Sequence, residues 1–310
     1  SVSLNYDSGV VDGVTTDANP QASEVGQGWE LAAGQGSIER RYMPCTDSRI
    51  GGAATSDACW YAQNATITLN GRSSELVPVN GTTNVANSFT LFRLKDDPDW
   101  LVERIPSATG NWWTNESWKV TTPEGVVYTF GLNDQGQNSR LARPVRGYSN
   151  GFPCYSNFNR LCTDMPYRWM LDKVTDSFGN AMIYKYELQK NRAKTMNVAD
   201  QAVEYNMQAL LTEVLYGKSP AAGITGFRDW VLFTYVRRCV QAMTSGSDAD
   251  CPAVANANGT SYPHVPTDLY CQANPCNSRL APPSRSVSMG STPLLRWPSP
   301  RTQPYSPASR

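Results

Sequence analysis

Histidine is almost absent from this 310-residue chain, which has only His264. A Ser-His-Asp triad, a multi-histidine zinc site or a histidine relay would all have to pass through that residue. It stands in Ser261-Tyr-Pro-His-Val-Pro266, a proline-flanked stretch that reads as a surface loop, so histidine chemistry is set aside. Charge is also scarce: charged residues make up 17% and the formal net charge is zero. That balance argues against an electrostatic grip on nucleic acid or an anionic membrane, which needs a positive surplus. No run approaches the roughly 20 apolar residues of a membrane span. No basic-then-apolar leader opens the chain, as expected for an export signal already removed or never present. CxxC knuckles are missing too, which disfavours zinc.

Cysteine, by contrast, is plentiful. Cys45, Cys59, Cys154, Cys162, Cys239, Cys251, Cys271 and Cys276 make an even set of eight in loop-like surroundings. Such a set suits disulfides in an oxidising compartment, and hence a secreted, extracellular or cell-surface protein. The simplest scheme pairs sequence neighbours: Cys45 with Cys59, Cys154 with Cys162, Cys239 with Cys251, and Cys271 with Cys276. Eight cysteines nevertheless allow about 105 pairings. Asn-x-Ser/Thr sequons begin at Asn64, Asn80, Asn115 and Asn258; these are glycan sites in a eukaryotic secreted protein and carry no meaning in a bacterial one.

The texture is that of many short strands divided by turn residues, which predicts an all-β fold of antiparallel strands and hairpins. Ala65 to Leu69 alternates and ends at the hairpin signal Asn70-Gly71. Phe89–Leu94 stops at Lys95-Asp-Asp-Pro98. Trp118–Thr122 and Val126–Phe130 flank Pro123-Glu-Gly125. Met182–Glu187, Leu211–Tyr216 and Trp230–Val236 complete the set. Ala193 to Leu211 has neither Gly nor Pro and a loose apolar spacing, which leaves a helix or a long loop open. From Asn277 to Arg310 there is no Asp or Glu, with five Arg and dense Pro and Ser. This tail reads as disordered, either a solvated linker or a truncated or out-of-frame end. The expected division is 1–110, 111–276 and 277–310.

Two segments share a pattern. Val120-Thr-Thr-Pro-Glu-Gly125 leads to Tyr128-x-Phe130, and Val174-Thr-Asp176-Ser-Phe-Gly179-Asn leads to Tyr184-x-Tyr186. Each is strand, polar turn with glycine, then two rings on one face of the next strand. Such rings in neighbouring hairpins can form an aromatic ladder that sets register. The second segment resembles the YD (tyrosine–aspartate) repeat of Rhs (rearrangement hotspot) proteins, with Glu187 where the last Asp usually stands.

At the other end, Leu4-Asn-Tyr-Asp-Ser8, Gly26-Gln-Gly28-Trp29 and Ser37-Ile-Glu-Arg40-Arg-Tyr42 resemble the opening of secreted actinobacterial YD-repeat proteins. Their order is similar to that in the SpvB-type region of insecticidal toxin-complex B components. Cys59-Trp-Tyr and Trp169-Met-Leu-Asp-Lys-Val174 fit the same context. The resemblance covers about residues 1–240, with weaker support to Cys276. It implies an extracellular scaffold, part of a YD-repeat shell or of a sandwich or propeller-like assembly. The expected partner is the remainder of a longer Rhs-type polypeptide or its cargo. Only one good repeat and one degenerate repeat are present, and no cargo is visible.

No residue set supports a catalytic assignment, and no cofactor is expected. Asp96, Asp97, Asp99 and Glu103 cluster beside Trp100; the run is an acidic turn, with calcium and a carboxylate pair for glycan hydrolysis as lesser alternatives. Trp112, Trp113 and Trp118 are read as core, with an exposed sugar-stacking platform as the alternative. Glycans are therefore an alternative partner. Gly26-Gln-Gly28 reads as a tight turn that lets Trp29 pack, and Arg40-Arg41 and Arg237-Arg238 as strand-end charges.

Overall fold

A computed structural model describes residues 4–7, 29–31, 36–47, 58–62, 64–79, 90–96, 99–108, 111, 113–147, 161–194 and 202–235. His264, Trp112, Asp97, Arg237, Arg238, Gly26, Gly28, Asn80, Asn258, the tail and Cys154, Cys239, Cys251, Cys271 and Cys276 lie outside them. The described residues form strands throughout, with one short 3-10 turn at Pro220–Ala222. The strands are β1 (Leu4–Tyr6), β2 (Trp29–Leu31), β3 (Gly36–Glu39), β4 (Met43–Pro44), β5 (Ala58–Trp60), β6 (Thr66–Leu69), β7 (Arg72–Pro78) and β8 (Leu91–Leu94). They continue with β9 (Leu101–Ile105), β10 (Ser117–Thr121), β11 (Val127–Phe130), β12 (Arg140–Gly147), β13 (Leu161–Thr175), β14 (Ala181–Lys194), β15 (Ala202–Lys218) and β16 (Asp229–Leu232). Each predicted strand recurs at least in part, Trp230–Val236 as a shorter strand that ends at Leu232 and Phe89–Leu94 as Leu91–Leu94, and the Asn70-Gly71 turn has the two positive φ angles, 52° and 76°, of a tight hairpin.

Strands β3, β6, β7, β8, β9, β10, β11 and β13 hydrogen-bond in a ring, each antiparallel to its neighbours. β13 closes it. At Trp169 this strand pairs with Ile38 of β3 on one edge and Arg140 of β12 on the other. Gly131 N donates to Met170 O, and Met170 N donates to Ser139 O. β11 and β12 therefore lie end to end along the same edge of β13. Closure leaves no free strand edge within the ring.

Period-two alternation points Ile38, Ile67, Leu69, Leu76, Phe92, Leu94, Val102, Val120, Phe130 and Leu171 into the ring, where they are buried in one cluster. Trp118 stands among them, with ring centroids 5.2 Å from Phe92 and 5.7 Å from Trp169, the latter edge to face. The barrel is thus filled by side chains, as expected for about eight strands. Outside it, β12 carries a small wing with β5 and β4, whose own cluster includes Trp60, Trp113, Val145 and Met165. The Cys45–Cys59 disulfide staples that wing. Cys162 is also disulfide-bonded.

Two expectations are corrected, at Ala193–Leu211 and at Arg40. The described residues of the stretch Ala193–Leu211 are strand, not helix: β14 runs to Lys194 and β15 starts at Ala202, and the two strands pair antiparallel. Opposite Lys185–Tyr186 and Gln189–Lys190, β15 carries one extra residue each time, Thr212 and Met207, and these bulges shift the phase of its alternation, which is why the apolar spacing looked loose. Trp113 and Trp118 are buried, as the core reading of these two expects, and neither offers an open ring face; Trp112 lies outside the described residues. Arg40 is not a strand-end charge but lies fully buried.

Candidate functional site

One end of the barrel is closed by charge. Arg40, just past β3, sends Nη1 and Nη2 to the two oxygens of Glu116 at 2.9 and 2.6 Å. Arg104, an inward position of β9, reaches Glu116 Oε1 at 3.3 Å. All three side chains are excluded from solvent. Trp169 Nε1 donates to Glu116 O at 2.7 Å, and the Arg40 guanidinium lies 4.9 Å from the Trp169 ring centroid. Burial is the largest single influence and works against the charge on Arg40, but the attraction and hydrogen bonds of Glu116, with smaller contributions from Tyr42, together raise its pKa and hold the guanidinium charged. For Arg104, burial dominates and lowers the pKa. One carboxylate shared by two arginines is a clasp, with its lone pairs already committed.

Neither Glu116 nor Arg104 was singled out by sequence. Glu116 sits inside the Asn115-Glu-Ser117 sequon, and Arg104 follows Glu103 as one more strand charge. The usable signal was a charge at an inward position of an alternating strand. The sequon at Asn64 is similarly engaged, its side chain bridging Arg41 N and O at 2.8 and 3.0 Å.

A second polar centre joins the barrel to the β14–β15 pair. Asp172, buried on β13, accepts from Thr129 Oγ1 at 2.7 Å, Asn133 N at 2.9 Å and Ser139 Oγ at 2.8 Å. Burial raises its pKa, and those hydrogen bonds oppose the rise. They fix the 131–139 loop, whose Gln137 O accepts Tyr186 N at 2.8 Å. Tyr186 Oη in turn donates to Leu171 O at 2.6 Å. Gly131 begins this loop at φ 68°, and a Cβ there would stand well inside contact distance of Trp169 Cδ1.

The repeat residues sit around the same joint. Asp176 builds its turn by accepting from Phe178 N and Asn180 N at 2.9 Å each and from Asn180 Nδ2 at 2.7 Å. Gly125 and Gly179 take φ of 79° and 81°. Phe130, Tyr184 and Tyr186 are buried in the barrel cluster, with Tyr128 packed against it. The aromatic pairs thus seal the hairpins to the barrel.

The acidic run disperses. Asp96 bonds Ser74 Oγ at 3.2 Å, while Glu103 points outward and pairs with Lys119 at 2.8 Å. Among the described residues no three His, Cys, Asp or Glu converge to hold a metal. At the barrel end opposite the clasp, Leu69, Arg72, Ser74, Asp96 and Trp100 line a cavity of about 30 Å³, room for about one water. Trp29 packs on Tyr6, with centroids 5.1 Å apart, but both stay exposed, at 44% and 53%. No helix among the described residues is long and apolar enough to cross a membrane.

The sequence matches, over residues 1–240, the family described as SpvB, Salmonella virulence plasmid 65kDa B protein. No curated protein matches it. Among solved structures, it is similar to the N-terminal domain of effector protein SpvB from Salmonella typhimurium strain LT2, at 15% identity and a TM-score of 0.37. That match covers 70% of this chain and 59% of the other. TcdB2-TccC3 without its hypervariable C-terminal region matches at 18% identity and TM-score 0.40, over 70% of this chain and 9% of that one. TcdB2-TccC3-TEV matches at 18% and 0.42, over 77% and 10%. The chain therefore spans less than two thirds of each of these proteins.

Proposed function

This chain belongs to the SpvB family, and we propose that it serves as a non-catalytic, secreted scaffold segment of a longer Rhs/YD-repeat polypeptide of the toxin-complex or cell-surface kind. The observation that carries this reading is the double use of β13. Its middle, Arg168 to Met170, closes the barrel with β3, and its last residues, Lys173 to Thr175, pair with β14, starting the run β13–β14–β15–β16 that leaves the ring. A packed barrel that hands one of its own strands to an outgoing sheet is a rigid base for further hairpins. Asp172, Gln137 and Tyr186 tie the outgoing sheet to that base.

Native-state hydrogen exchange tests the proposal. Slow amides of β13 on both sides of Leu171, and of β14 near Tyr186, should exchange with one common opening free energy. Independent, much easier opening of β14–β16 would sink the scaffold reading. Product release on a polysaccharide panel would also overturn it, in favour of an Asp- or Glu-dependent enzyme.

A second reading, glycan binding, is favoured by a different feature from the buried tryptophans: the exposed, adjacent Tyr6 and Trp29 rings, which can stack on a sugar face. Saturable binding on a glycan panel, lost in Trp29→Ala, would establish it; binding that survives that change would not.

A further inference from the structure

The outer wall of the barrel is polar over β6, the first half of β7 and β10, and apolar across the end of β7, β8 and β9. Outward positions of β6 and the first half of β7 are Thr66, Thr68, Ser73 and Glu75, while those of β10 include Lys119 and Thr121. Between them, the outward positions at the end of β7 and on β8 and β9 are Val77, Val79, Leu91, Leu101 and Ile105, each 36–44% exposed. Register makes them one surface. Val79 N donates to Leu91 O at 3.0 Å, Leu91 faces Glu103, and Val77 faces Arg93. An antiparallel sheet with one solvated face ordinarily places polar side chains there, and contiguous exposed aliphatics mark a contact surface.

Charge identifies the occupant. Arg93, set among the aliphatic side chains, has no hydrogen-bond or ion-pair partner among the described residues. Glu103, on the same wall, is one-third exposed and shares only one oxygen, with Lys119. A surface holding a cation unpaired among the described residues and a partly exposed carboxylate on the same apolar field is complementary to itself under a two-fold rotation, as an isologous contact requires. We infer that this wall is a dimer contact with a second copy of the chain, Arg93 of each copy meeting Glu103 of the other over the packed aliphatic side chains. The inference concerns a surface that the scaffold reading leaves unassigned.

Light scattering and sedimentation of the purified chain, over roughly 1–300 µM, test it, because self-association follows mass action. The wild type should pass from monomer to dimer with concentration. Arg93→Glu and Glu103→Arg should each weaken self-association at least about tenfold, because each sets like charges against each other twice in the contact. Mixed one to one, the two variants should form a heterodimer, since both charge pairs are then restored. Leu91→Asp should be monomeric with an unchanged circular-dichroism melt, which separates loss of contact from loss of fold. A wild type that stays monomeric throughout overturns the inference. So do charge variants that associate as the wild type does, or a mixture that stays monomeric.

Discussion

Replacing Glu116 by glutamine should be among the most costly single changes available in this barrel. The substitution keeps the shape of the side chain but removes the charge that two buried guanidiniums share, with contacts of 2.6 and 2.9 Å to Arg40 and 3.3 Å to Arg104. The amide can accept through only one oxygen, and its nitrogen would point a donor at a cation. Leaving buried charge without its counter-ion costs about 3–5 kcal/mol. A domain of this kind has about 5–15 kcal/mol in all, so the loss would take a large share of the stability.

The internal control is Glu75→Gln, which breaks the Lys95–Glu75 pair whose side chains are each 63% exposed; solvent screening should hold that loss below about 1 kcal/mol. Urea unfolding followed by tryptophan fluorescence and circular dichroism gives both values, with an unchanged m-value confirming that the same surface is exposed. A Glu116→Gln loss under about 1 kcal/mol, or one equal to the control, would refute the reasoning that the clasp is desolvated and tightly paired.

Two further outcomes are expected. Gly131→Ala should destabilise by about 2 kcal/mol or more, because it combines φ of 68° with a Cβ placed well inside contact distance of Trp169 Cδ1; a thermal melt indistinguishable from wild type would contradict it. For Asp172, burial raises the folded-state pKa above the unfolded value, against the hydrogen bonds from Thr129, Asn133 and Ser139, with Arg140 the nearby cation. The native state therefore holds more protons in that window. The contribution of Asp172 is fully present below about pH 4 and is lost as pH rises through the raised value. Urea midpoints at several pH values between acid and neutral should show this slope in the wild type but not in Asp172→Asn; equal slopes would count against it.

Much of the β character is written in the chain. Alternation at 65–69, 118–122 and 126–130, with Asn70-Gly71 and Gly125 at the breaks, is local chemistry: period-two burial and positive φ need only neighbours in sequence. The Asp176–Asn180 turn is local in the same way, since its hydrogen bonds span at most four residues. Closure of the barrel is not local. It depends on β13 pairing with β3, more than 120 residues away by the Arg168↔Glu39 register, and no short window carries that information. The same holds for Arg40, whose partner Glu116 lies 76 residues on. Read alone, Arg40 ends a strand; in the fold it becomes half of a buried clasp. Alternation misled only where bulges changed its phase, in the long β14–β15 pair. Sequence determined which residues could line a sheet, because side chains alternate wherever a strand forms. Tertiary structure alone decided which charges are buried and which aliphatic side chains stay outside, because both depend on which strands meet when the ring closes.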